Sequence, residues 1–193
     1  MSKKRNQAGK RKKRSKRNHA SSDGPSRFER RTGYSRADVK TAPVYAAYLP
    51  TTVEDSGNGQ AVVAREMPDA TVLAGIYLVD TYCMGVKNAF VLNRSKIEFE
   101  NIVHEQVDTD SFTPASAACV CKLVQDALAY AEQFDIKPHA DYYLAAVLLD
   151  GIDPTECERE FTFGRDGKPF YMAGPRDTDF ANRQILAKLE KAC

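Results

Sequence analysis

Apolar positions concentrate between residues 71 and 92, where TVLAGIYLVDTYCMGVKNAFVL is interrupted by one acid, Asp80, and one base, Lys87. From Thr71 to Asp80 the chain is continuously apolar and rich in β-formers, which predicts a central strand covered on both faces. Before it, VYAAYLP (44–50) and QAVVAREMP (60–68) predict two further strands. The short connection 68–70 joins the second of these to the central strand as an antiparallel hairpin. After Met84-Gly85, VKNAFVL (86–92) predicts a short strand or an irregular crossing segment.

The period then changes. Ser95-Lys96-Ile97-Glu98 matches a capping box and predicts a helix over 96–107 with Phe99, Ile102 and Val103 inward. A broadly apolar helix is expected over 114–134, with Thr113 as N-cap and Pro114 in the first turn, where a missing N–H costs nothing. Another is expected from Lys137-Pro138-His139 through ADYYLAAVLLD to Gly151, followed by a loop containing Cys157. FTFGRDGKPFYM (161–172) reads as a hairpin about a Gly-Arg-Asp-Gly turn, with Pro169 making its second strand an edge. A last amphipathic helix starts near Thr178 and runs through Phe180, Ile185 and Leu189. Strands followed by helices, then a hairpin and a helix, predict an α+β fold: a small antiparallel sheet packed on two or three helices.

Charge changes this picture more than any element does. The formal net charge of +2 is a cancellation: residues 1–40 hold 15 Lys and Arg against three acids, and residues 41–193 hold 13 against 23. A basic arm (1–40) therefore precedes an acidic globular domain (41–193), an asymmetry that points to nucleic acid or an anionic surface. Ten of the first 17 residues are basic: Lys3, Lys4, Arg5, Lys10, Arg11, Lys12, Lys13, Arg14, Lys16 and Arg17. No Val, Ile, Leu or aromatic residue precedes Phe28, so the arm has nothing to bury and is expected to be disordered alone. A flexible coil of about 24 residues spans roughly 25–30 Å, enough to thread between nucleic-acid helices. Arg27, Arg30, Arg31 and Arg36 extend the basic stretch, while Phe28 and Tyr34 can stack on bases or dock back on the body. KRKKRSKR also fits a nuclear import signal.

The five cysteines, Cys83, Cys119, Cys121, Cys157 and Cys193, are odd in number and irregularly spaced, and no apolar leader precedes them. The expectation is reduced thiols in a cytoplasmic protein, or a nuclear one if the source is eukaryotic. Asp80 and Lys87 cut the central stretch below the roughly 20 apolar residues of a membrane span. The stretches VDTYCMGVKNAF (79–90), KPHADY (137–142) and FGRDGKPFYMAGPRDT (163–178) resemble a family of uncharacterised bacterial proteins. That resemblance implies a bacterial, cytoplasmic protein and carries no activity.

Three chemistries can be written on these residues. Cys83, at the end of the central strand beside Gly85 and Lys87, is a candidate nucleophile with His139 as base and Asp141 as orienter. Against it, a Cys in an apolar run is ordinarily a small buried residue. Asp80 with Asp141, Asp150 or Asp153 offers carboxylates for a divalent metal in phosphodiester hydrolysis; the plainer reading has Asp80 cap a turn or pair with Lys87, with Asp150 and Asp153 bracketing another turn. Zinc is disfavoured, because Cys119 and Cys121 on a helix point about 200° apart. FGRDGKP lacks the helix and Lys-Ser/Thr of a phosphate loop and is a hairpin turn. No metal and no cofactor is therefore expected. The leading expectation is an RNA-binding, ribosome-associated protein anchored by its arm, with RNA favoured over DNA and the acidic body meeting a protein partner. The alternative is a nucleic-acid-processing or thiol-dependent hydrolase built around Asp80, Cys83 and His139.

Overall fold

The computed structural model describes residues 25–109, 111–174 and 177–192. Its first two elements are short helices, α1 (Arg27–Thr32) and α2 (Arg36–Thr41), each opened by a capping box, Ser26 with Glu29 and Ser35 with Asp38. In each box the serine oxygen accepts the third N–H while the acid accepts the cap N–H, so six-residue helices close without help from length. Their apolar residues Phe28 and Val39 are buried against Met67, Leu73, Leu144, Val147 and Leu148. Tyr34 donates to Asp69 Oδ2 at 2.8 Å and lies 2.7 Å from the Thr71 hydroxyl. Phe28 and Tyr34 thus dock back on the body. The boundary expected at residue 41 falls inside the folded unit, which already includes 27–41.

Strand β1 (Val44–Pro50) leads through a single helical turn, α3 (Val53–Ser56), to β2 (Asn58–Glu66), β3 (Thr71–Asp80) and β4 (Gly85–Ser95). Helix α4 (Lys96–Asp108) then crosses the sheet to β5 (Phe112–Pro114), and the order β4-β3-β2-β1-β5 is antiparallel throughout. Alternation on the strands sorts the core into two faces. Val62, Ala64, Val72, Ala74 and Ile76 meet Phe99 and Val103 of α4. Ala61, Val63, Tyr77 and Val79 meet α5 (Ala117–Glu132) and the α6 (Tyr142–Ala145) region. The α+β architecture read from element order is the one present, with a sheet of five strands and the central strand covered on both sides.

Local chemistry misplaced some boundaries. Pro114 belongs to β5 at the sheet edge, where its missing N–H faces no ladder partner, and Ser116 caps α5 in place of Thr113. The helix expected over 139–151 is one turn of α6 followed by a 3-10 turn at Ala146–Leu149. Ile102 on α4 is exposed, and so is Phe180 on the final helix α7 (Asp179–Ala192), which buries Leu189 instead. The 161–172 hairpin reduces to its tip. Asp166 and Gly167 both take positive φ, as a two-residue turn of the favoured twist needs, and Arg165 pairs with Lys168. Its arms hydrogen-bond Thr81 and Tyr82 rather than each other, Gly164 N–H to Thr81 O and Phe170 N–H to Tyr82 O.

Two interactions distant in sequence close the body. Cys119 and Cys157 form a disulfide across 38 residues, which corrects the expectation that the thiols are all reduced. Asp153 caps the 3-10 turn Pro154–Glu156 and delivers Cys157 to the start of α5. Arg65, buried on β2, donates to three carbonyls: Leu148 O at 2.9 Å, Ala42 O at 2.7 Å and Asp150 O at 2.7 Å. A planar fork reaches all three acceptors from three separate nitrogens, which the single nitrogen of an ammonium cannot do. Arg65→Lys is therefore expected to cost about 2–3 kcal/mol in a urea melt. Among the described residues no helix is long and apolar enough to cross a membrane.

Candidate functional site

The polar break in the apolar centre is a structured turn. Asp80 ends β3 with its side chain fully buried, and its Oδ1 accepts N–H bonds from Tyr82 at 2.9 Å, Cys83 at 2.9 Å and Met84 at 3.2 Å. The turn closes at Gly85, whose φ is +67° and where a Cβ would sit 2.9 Å from that of Ala131. Only glycine brings the chain onto α5 there. Oδ2 accepts no hydrogen bond and faces Lys87 Nζ at 3.6 Å. Lys87 arrives there through a bulge: Leu78 pairs with Asn88 and Val79 with Val86, leaving Lys87 unpaired between them. Its ammonium also donates to Met172 O at 3.3 Å, tying β4 to the segment before α7. On that segment the Tyr171 hydroxyl donates to Asp177 Oδ2 at 2.7 Å and lies 2.8 Å from Asn182 Oδ1. The Gly174 N–H and the Tyr171 hydroxyl hold the Asp177 carboxyl below its ordinary range.

Cys83 does not meet the requirements of a nucleophile. It is buried among Ala131, Phe134, Ile136 and Leu189, and burial with the adjacent Asp80 carboxylate pushes its thiol up to about 12, against the opposing pull of Lys87. A reactive cysteine needs access and a depressed pKa. The backbone N–H of His139 bonds Val86 O, while its half-exposed ring accepts from the Asp141 N–H at 3.2 Å. Asp141 in turn pairs with Arg27 at 3.0 Å. The structure thus assembles His139, Asp141 and Arg27 at the surface, while Cys83 is buried in the apolar cluster. Peptide mapping after iodoacetamide labelling at pH 8 should leave Cys83 and Cys121 unmodified in the folded protein and label both once it is unfolded. Rapid native labelling of Cys83 would contradict this burial.

The carboxylate reading fares the same way. Among the described residues no group of three His, Cys, Asp or Glu side chains is placed to hold a metal. Asp153 is spent on Thr155, and Asp141 on Arg27. Cys121 is buried in the core beside Gln125, pointing away from the disulfide that Cys119 makes. A polar cleft of about 650 Å³ does open between α3, Tyr82 and the 164–167 tip, with Glu54, Asp55, Arg165 and Asp166 on its walls. Neither Asp80, Cys83 nor His139 lines it.

Of the basic residues, Lys3, Lys4, Arg5, Lys10, Arg11, Lys12, Lys13, Arg14, Lys16 and Arg17 lie outside the described residues. Arg27, Arg30, Arg31, Arg36 and Lys40 are exposed on α1 and α2, directly after them in the chain. Beside these helices, α6 presents an aromatic that sequence reasoning passed over. Tyr143 is 60% exposed, next to the partly buried Tyr142 that packs against Tyr77. Adjacent tyrosines on a helix point about 100° apart, so one of the pair must leave the core. That signal was available. Compared with protein-family models, with curated proteins and with solved structures, the chain matches none.

Proposed function

We propose that this chain is an RNA-binding protein anchored by its basic N-terminal arm, with the folded body as a platform beside the bound strand. The observation that carries the reading is charge segregation. Residues 1–24 hold ten Lys and Arg and a single acid, whereas residues 25–193 hold 18 Lys and Arg against 25 acids. A polyanion is repelled by such a body and drawn to the arm, so binding is expected to be backbone-directed and strongly salt-dependent. The exposed arginines of α1 and α2 support the same reading, because they continue the basic character onto the folded surface at the arm's root.

Lys and Arg interleaved with Ser, Asn, Gln and Gly suit phosphate contact on folded RNA rather than base reading in a groove. Ribosome association is the setting we favour, by analogy with small domains that carry basic extensions into ribonucleoproteins, and the acidic body then faces protein. Sedimentation of tagged protein from cell extract through a sucrose cushion tests this. The protein should pellet with ribosomes at low salt and be released by ribonuclease or by high salt. Protein that stays in the supernatant at low salt would overturn it.

A further inference from the structure

We infer that the cleft between α1, α2 and α6 takes one unpaired base of a single-stranded RNA, stacked on Tyr143 with its flanking phosphates on Arg27 and Arg36. This rests on the arm reading above and specifies the form of RNA the folded body accepts. The cleft measures about 210 Å³, with Phe28 and Leu144 beneath and the two arginines and Tyr143 around it. Tyr143 is braced edge-on by Tyr142, with ring centroids 5.6 Å apart, so a large aromatic surface is held in place at the rim.

The charges are arranged to match. Arg27 is oriented by Asp141 yet keeps a side chain 66% exposed, and Arg36 forms no ion pair among the described residues. Ser26 forms part of the cleft and stands two residues after residue 24, so the cleft lies at the root of the basic arm. An exposed aromatic flanked by guanidiniums is the composition that holds single strands: every base has a face to stack, and the arginines supply phosphate contacts. A duplex keeps its bases stacked on one another and has none to offer Tyr143. The preference that follows is for unpaired RNA, with little selection among bases.

The test is fluorescence anisotropy of the full chain at about 50 mM salt, with a labelled single-stranded RNA of about 12 nucleotides and a duplex of the same sequence. Tyr143→Ala should weaken single-strand binding by about 5- to 150-fold and leave duplex binding unchanged. Tyr143→Phe should retain the single-strand affinity, since stacking needs only the ring. Single-stranded DNA bound equally well would keep the stacking site and show that the sugar is not read. Tyr143→Ala binding the single strand as the parent does, or losing both ligands equally, would overturn the stacking site and leave the arm reading standing. A parent chain that binds neither RNA would overturn both. Because Tyr143 is exposed, the variant's thermal melt should superimpose on the parent's, and the comparison reads binding alone.

Discussion

Deleting residues 1–24 is expected to abolish the salt-sensitive part of RNA binding while leaving the body folded. The deletion ends before Ser26, so the α1 capping box and the Phe28 anchor survive and the thermal melt should not move. If the ten basic residues in that stretch engage six to ten phosphates, affinity of the full chain falls by roughly 10³–10⁵ between 50 and 200 mM salt. The truncated chain should show a much flatter dependence of log affinity on log salt, leaving only what Arg27, Arg30, Arg31 and Arg36 contribute. Filter binding at several salt concentrations measures both slopes. Parallel slopes would mean that the body, despite its acidic excess, is the RNA-binding part.

The largest stability effect should come from Lys87→Met, at about 3–5 kcal/mol by urea denaturation. Removing the ammonium leaves Asp80 Oδ2 buried with neither a hydrogen bond nor a counter-charge. It also releases the Met172 carbonyl, so the segment leading to α7 loses its tie to β4. The double variant Asp80→Asn/Lys87→Met removes both charges and keeps an oxygen for the three turn N–H groups. It should recover most of the loss. A single-variant cost under about 1 kcal/mol, the size of an exposed pair, would show that the contact is not structural.

What this pair does also explains why no thiol or carboxylate chemistry assembles around it. Asp80 looked available in the sequence because an acid in an apolar run has to be satisfied somehow. The structure satisfies it with three backbone donors and Lys87, which stabilises a turn and leaves no open carboxylate oxygen at a solvent-facing position. Cys83 is held by the same turn and faces the apolar cluster behind it. Of the two plainer roles open to Asp80, capping a turn or pairing with Lys87, both are present. The dyad required Cys83 to meet His139, which only chain packing decides; Asp141 does stand beside His139, two residues on, but packing turns Cys83 into the apolar cluster.

Several features of this protein follow from its sequence because they depend on residues within a few positions of one another. The β3 strand follows from an apolar run rich in β-formers and the start of α4 from Ser95 and Glu98, while the turn expected over Gly164–Gly167 closes one residue later, between Arg165 and Lys168. The charge division between arm and body is likewise a property of order along the chain. Tertiary structure decided the rest. Strand β5 exists because β1 offers an edge to it, and the bulge that aims Lys87 exists because β4 must register against β3. Cys119 finds Cys157, and Arg65 finds three carbonyls from separate segments, only after the sheet has gathered them. The cleft that sets Tyr143 beside Arg36 arises in the same way, when Phe28 of α1 and Val39 of α2 pack onto Met67, Leu73, Leu144 and Leu148. Local pattern is written by nearest neighbours; which distant groups meet is set by burying the shared core.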